Sequence, residues 1–152
     1  MRVPAGGKRR IGLPLVALSV LSALLAPAPG LASNPRTEYM LDCMGCHQAD
    51  GSGVPGKVPD MRSTLGPFSR TAAGRRYLIE VPGVAQAPLS NADLAELLNW
   101  LVRELGETTQ SQHFVPFTAE EVAAYRSTPL VEVTAVRRRL LTEAGRHMPV
   151  AQ

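Results

Sequence analysis

One pentapeptide, Cys43-Met44-Gly45-Cys46-His47, concentrates the groups of this 152-residue chain that could do redox chemistry. Its two thiols lie three positions apart, so each can add across one of two neighbouring vinyl groups of a porphyrin. The imidazole that follows can then ligate the iron, and C-x-x-C-H is the attachment signature of a c-type haem. The motif therefore predicts covalent haem c on Cys43 and Cys46, with His47 as an axial iron ligand.

Two other uses of the motif are weaker. A C-x-x-C thiol–disulfide pair is typical of a strand followed by a βαβ unit, whereas helix-like sequence precedes Cys43. A structural zinc site needs four ligands, and outside the motif only His113 and His147 could add nitrogen atoms. Both cysteines of the chain lie inside the motif, so haem attachment accounts for all of its cysteine chemistry.

The N-terminus has the pattern of a secretory signal peptide, which we assign to residues 1–32. A positively charged start, with four Lys and Arg residues, precedes the apolar run Ile11 to Ala26. Small residues around Ala32 suit a cleavage site, which makes Ser33 the first mature residue. The apolar run is shorter than the roughly 20 residues that span a bilayer, so an uncleaved anchor is the less favoured alternative. We expect export to the periplasm and no membrane span after cleavage.

The net charge of +3 comes from the signal segment and not from the mature chain. That segment holds 4 of the 16 Lys and Arg residues and none of the 13 Asp and Glu residues. The remainder has 12 basic residues against 13 acidic ones. A nucleic-acid-binding protein needs a basic footprint, so this class is excluded.

Local signals predict helices on both sides of the motif. Asn34 or Ser33 can cap a first helix that begins at Pro35 and delivers Cys43. A glycine- and proline-rich loop follows at 48–61, residues 63–69 are interpreted as a further loop, and residues 71–81 as a short helix.

The strongest helix is predicted from Asn91 to Glu104. Ser90 and Asp93 form a capping box at its start, and leucines recur at intervals of three and four along it. Trp100 is placed to pack on Tyr39 of the first helix.

Residues 39–101 resemble a class I (mono-haem) c-type cytochrome, in the order of the C-x-x-C-H motif, small-residue loop, short helix, second loop and final helix. The resemblance implies an all-α cytochrome c fold, about three core helices around one covalent haem, for residues 33–106. It also implies that the Pro59 carbonyl accepts a hydrogen bond from His47 Nδ1, and that Met61 packs on the His47 side of the haem. The family places its ligating methionine immediately before a proline, where this chain has Ala87-Pro88.

The sequence therefore leaves two alternatives for the sixth ligand of the iron. The iron could be five-coordinate, with water or a small molecule opposite His47. A residue from elsewhere could also ligate it, and Met61 is the first candidate. The others are Met40, His113, His147 and Met148.

Residues 107–152 are interpreted as a C-terminal helical extension. Thr118 opens a capping box for a helix to about Arg126, and a second helix is expected at about 134–144. Phe114 and Phe117 could dock the extension onto the haem domain. The run Arg137-Arg138-Arg139 is interpreted as a solvated face, or as a surface for an acidic partner. Tyr77 or one of three arginines is a candidate contact for a haem propionate: Arg70, Arg75 and Arg76.

The favoured function is a periplasmic electron carrier and not an enzyme, so no catalytic residue is expected. Its partner would be a dehydrogenase or an oxidase. The alternative is a haem-based small-ligand binder or peroxidase-like protein with an open sixth iron position. A third hypothesis is an assembly protein that docks a partner through residues 107–152.

Overall fold

The computed structural model describes residues 34–106 and 114–147, and in these ranges every regular element is a helix. The predicted signal segment, His113 and Met148 lie outside the described residues, and so does the side chain of His147. The helices are α1 (Pro35–Asp42), α2 (Arg62–Ser69), α3 (Ala72–Glu80), α4 (Pro82–Ala85), α5 (Asn91–Trp100), α6 (Ala119–Tyr125) and α7 (Val133–His147). The predicted all-α fold is confirmed.

Side-chain caps begin four of these helices, and the sequence predicts three of the caps, at Asn34, Ser90 and Thr118. Asn34 Oδ1 accepts from Arg36 N at 3.1 Å at the start of α1. The hydroxyls of Thr71, Ser90 and Thr118 accept backbone N–H groups at the starts of α3, α5 and α6, at 3.1 to 3.2 Å. Each cap satisfies an amide that the first helical turn leaves without a partner. The caps therefore set where the elements begin.

The loop predicted at 63–69 is wrong, because these residues form α2 in spite of Pro67. The Asp60 carboxylate accepts from Arg62 N at 2.9 Å and supports the first turn. Leu65 and Phe68 are both buried in the core. Their burial offsets the backbone hydrogen bond that proline removes from a helix.

Three further elements differ from prediction. Residues 82–85, assigned to a loop, form the single turn α4 with Pro82 at its first position. The final helix of the cytochrome-like region is α-helical only to Trp100, and Leu101–Leu105 continue it as a π-helical turn that ends at Gly106. The second helix of the extension begins one residue earlier than expected and continues to His147.

A single hydrophobic core joins α1, α2, α3, α5 and the extension. Tyr39 of α1 meets Trp100 of α5 with ring centroids 5.6 Å apart, which is the predicted packing. Leucines of α5 pack in the same cluster. It also includes three buried side chains of the extension: Phe117, Val122 and Leu140. Residues 114–147 are thus built into the core that also contains the haem-motif helix.

Arg75 fastens the start of the extension to α3. Its Nε donates to Glu121 Oε1 at 2.7 Å, and its Nη1 donates to the Val115 carbonyl at 2.6 Å. The guanidinium also lies 4.0 Å from the centroid of the Phe117 ring. On α5, Asn99 completes the attachment, because its amide exchanges two hydrogen bonds with the backbone of Phe117, at 2.7 and 3.0 Å.

Arg126, just after α6, fastens the segment between α4 and α5. Its guanidinium donates to the carbonyls of Ala85 at 3.2 Å, Ala87 at 2.7 Å and Leu89 at 2.8 Å. It also donates to Asn91 Oδ1 at 3.0 Å. One side chain of the extension therefore holds the whole loop that precedes α5.

Candidate haem site

The Cys43–His47 motif forms a helical turn that continues from α1. Cys43 N donates to the Tyr39 carbonyl at 3.0 Å, and His47 N donates to the Cys43 carbonyl at 2.9 Å. The Tyr39 hydroxyl donates to the Gln48 carbonyl, which ties α1 to the chain just past the motif. This turn presents both thiols and the imidazole to one cavity.

That cavity has a volume of about 290 Å³ and brings together the five residues that the sequence predicted for haem attachment, iron ligation and packing. Cys43, Cys46, His47, Pro59 and Met61 all line it. Cys46 is exposed, so the cavity reaches the surface beside the motif. The far walls are mainly apolar side chains of α2, α3, α5 and the segments that follow α3 and α5: Leu65, Leu78, Val81, Val84, Leu98 and Leu101.

The loop after the motif closes the cavity on the His47 side. Gln48 N donates to the Ser52 carbonyl at 2.9 Å, and Met61 N donates to the Gly51 carbonyl at 3.2 Å. Gly53 permits this return, since a Cβ there would lie 2.0 Å from the Val58 carbonyl oxygen. Pro59 and Met61 are thereby held beside the turn that follows His47.

The predicted hydrogen bond from His47 Nδ1 to the Pro59 carbonyl is not formed. Nδ1 is buried and has no hydrogen-bond partner, although both residues line the cavity. Burial lowers the pKa of His47, and the charge of Asp60 offsets part of this effect. A lowered pKa favours the neutral imidazole, which is the form that binds a metal.

The Cys43 thiol does not have the lowered pKa of a reactive redox cysteine. Burial, and then the negative charges of Asp42 and Cys46, raises the pKa of the Cys43 thiol to about 11. Reactive C-x-x-C motifs have a lowered thiol pKa, because the thiolate is the nucleophile. Among the described residues, no group of three or more Cys, His, Asp or Glu side chains could hold a metal ion by itself. Neither the thiol-exchange nor the zinc alternative is supported.

The site fits haem c. It has two thiols and one imidazole on a single turn, apolar walls for a porphyrin, and a buried imidazole whose Nδ1 has no protein partner. Buried polar atoms are normally hydrogen-bonded, and His47 Nδ1 is an exception in this site.

Ala87 does not lie where the resemblance placed it. It is only 8% exposed and packs in the hydrophobic core, and it does not line the cavity. Val81, Gly83 and Val84, at the turn α4, line the cavity instead. Arg126 binds this loop to the extension, since its guanidinium donates to the Ala87 carbonyl at 2.7 Å.

Two of the arginines proposed for a propionate point elsewhere. Arg75 is bound by Glu121 and backbone carbonyls of the extension, and Arg76 donates to Glu80 at 2.7 Å. Arg70 is exposed and does not line the cavity. Tyr77, the remaining candidate, is buried and does line it.

Val133 and Arg137 of α7 are cavity residues that the sequence reasoning missed. The three consecutive arginines suggest a solvated face, but Arg137 lies four positions after Val133 and three before the buried Leu140. This spacing places all three on one face of the helix. The same spacing in the sequence could have identified Arg137 as facing the core.

Comparison with known proteins gives two similar chains of the same name, and no family model matches. A cytochrome c-552 of Thermus thermophilus is 30% identical over an alignment of 142 positions, which covers 80% of this chain and 96% of the relative. A second cytochrome c-552 from the same species is 32% identical over an alignment of 118 positions, which covers 64% of this chain and 90% of the relative. The chain therefore belongs to the c-type cytochromes, electron-transfer proteins that carry covalently bound haem c.

Proposed function

We propose that this cytochrome binds one haem through thioether bonds to Cys43 and Cys46, with His47 as an axial iron ligand. It carries electrons in the periplasm to or from a partner dehydrogenase or oxidase. The observation that carries the proposal is the shared cavity: the three motif side chains, Pro59 and Met61 all line it.

The residues around the cavity have separate tasks in this proposal. When bound, haem supplies a one-electron couple between ferrous and ferric iron. The two cysteines hold it covalently, and the lowered pKa of His47 keeps the imidazole neutral and able to donate its lone pair. Leucine and valine side chains exclude water from the far walls. Little in this packed site has to move when an electron enters or leaves, which suits a carrier.

Met61 acts in this proposal as a packing residue on the His47 side and not as the sixth ligand. Its backbone is hydrogen-bonded to Gly51, in the turn that directly follows His47. A sixth ligand would have to come from another residue beside the cavity, and the segment around α4 contributes Val81, Gly83 and Val84 to its lining. None of these three residues offers a donor atom in its side chain.

The location and boundaries of the protein complete the proposal. We assign residues 1–32 to a cleaved signal peptide, 33–106 to the cytochrome domain and 107–152 to an extension that covers it. Within the described ranges, no helix has the length and hydropathy needed to span a bilayer.

Exchange of the motif cysteines tests haem attachment. We expect the Cys43→Ala/Cys46→Ala variant to carry no covalent porphyrin, because no other cysteine is present in the chain. Mass spectrometry of the exported, acid-denatured protein measures the porphyrin adduct. Met44→Ala, inside the same motif, is the matched control and keeps the adduct. Wild-type protein with free thiols or an internal disulfide, and no porphyrin mass, would refute the proposal.

Exchange of Met61 tests its role. We expect Met61→Leu to leave the absorption spectra of both oxidation states unchanged, since leucine preserves the packing volume and removes only the sulfur. Carbon monoxide binding to the reduced protein should have the same rate in both proteins. A changed spectrum, or carbon monoxide binding that appears only in the variant, would show that Met61 ligates the iron.

A further inference from the structure

Helix α7 of the extension forms one wall of the cavity that holds the Cys43–His47 motif. Val133, at the start of the helix, and Arg137, one turn later, both line it. Leu140 anchors this face of the helix in the core. The extension thus places a cationic side chain beside the proposed haem.

Arg137 is the only Lys or Arg among the described residues that line this cavity. It is half-buried, and its Nη2 donates to the backbone carbonyl of Asp60 at 3.3 Å. The Asp60 carboxylate is bound instead by Arg62, at 2.6 Å. Among the described residues, Arg137 forms no ion pair with a carboxylate, so most of its five donors stay free to bind another anion.

The charge of Arg137 acts inside the cavity. Burial raises the pKa of the Tyr77 phenol, and the positive charge of Arg137 offsets part of that rise. Tyr77 lines the same cavity. The guanidinium is therefore close enough to influence groups within the cavity as well as at its rim.

Haem brings two carboxylates into this largely apolar site. A carboxylate that leaves water is costly unless a cation or hydrogen-bond donors meet it, and arginine matches a carboxylate with two parallel N–H donors. Arg75, Arg76 and Arg126 are already bound elsewhere. Among the described cationic side chains, these observations leave only Arg137 beside the cavity.

We propose that Arg137 binds a carboxylate of the haem and thereby connects the C-terminal extension to the reduction potential of the iron. This inference rests on the proposed attachment of haem at Cys43 and Cys46. The positive charge neutralises a negative group near the iron, and it favours the ferrous state because that state carries one charge fewer. The extension is then part of the redox site as well as of the core.

Potentiometry of the exported haem protein tests the inference. We expect Arg137→Gln to have a lower reduction potential than wild type, and Arg137→Lys to recover part of the difference. Arg139→Gln is the matched control, since it removes the same charge from an exposed position of α7 that does not line the cavity. Thermal unfolding of each haem protein shows whether the fold is retained, and the lysine variant provides the comparison where glutamine destabilises it.

The outcomes separate this inference from the proposed function. If Arg137→Gln and Arg139→Gln have equal potentials, or Arg137→Lys recovers nothing, Arg137 does not bind the carboxylate. If wild-type protein carries no porphyrin by mass spectrometry, the proposed attachment itself fails. A potential that falls only for Arg137→Gln, and rises again with lysine, supports the inference.

Discussion

Haem-free protein is expected to lose cooperative thermal unfolding. The cavity beside the motif has a volume of about 290 Å³. Haem would cover the apolar walls of this cavity, and burial of apolar surface stabilises a fold by roughly 25 cal/mol per Å². Domains of this size are stable by only about 5–15 kcal/mol in total.

Calorimetry or circular dichroism of haem-free and haem-containing protein measures this difference. Two haem-free samples should agree: wild-type residues 33–152 produced without export, and the Cys43→Ala/Cys46→Ala variant. Agreement shows that the missing haem, and not the exchange of cysteine, causes the loss. A sharp transition of the haem-free protein within a few degrees of the haem protein would contradict the prediction.

Local chemistry in the sequence predicted the motif and most helix starts. A cap needs only a side-chain oxygen and an amide two or three residues later, so Asn34, Thr71, Ser90 and Thr118 could be identified without knowledge of the tertiary fold. The C-x-x-C-H turn could be identified in the same way, because the motif spans only five consecutive residues.

Features that depend on tertiary packing were predicted poorly. The helix α2 was missed because Pro67 argues against a helix, and the burial of Leu65 and Phe68 that outweighs it involves distant residues. The run Arg137-Arg138-Arg139 suggests an exposed face or a surface for an acidic partner. Arg137 lines the cavity instead, because α7 docks on the core.

The position of Ala87 shows the limit of a family comparison. Alignment of Ala87-Pro88 with a Met-Pro pair assumes that this loop approaches the cofactor in the same way. Here Arg126, more than 35 residues away in sequence, binds the carbonyls of Ala85, Ala87 and Leu89. The loop is held by the extension, and Ala87 packs in the core instead of facing the cavity. Only the tertiary structure supplies that contact.

Phe117→Ala is expected to destabilise the haem protein by about 3–5 kcal/mol, the range for phenylalanine truncation in a core. Phe117 is 3% exposed and lies under the Arg75 guanidinium. Its backbone is fixed by two hydrogen bonds to the Asn99 amide. Loss of the ring leaves a cavity between α5 and the extension, since the backbone cannot readily move to fill it. Denaturant unfolding measures the change in the free energy of unfolding.

Val115→Ala is the matched control, because this side chain lies two positions away and is 75% exposed. It should change the free energy of unfolding by no more than about 0.5 kcal/mol. Phe117 does not line the haem cavity, so the absorption spectrum of Phe117→Ala should equal that of wild type. Equal stabilities of the two variants would show that Phe117 does not dock the extension. An altered spectrum would show that this docking also shapes the haem site.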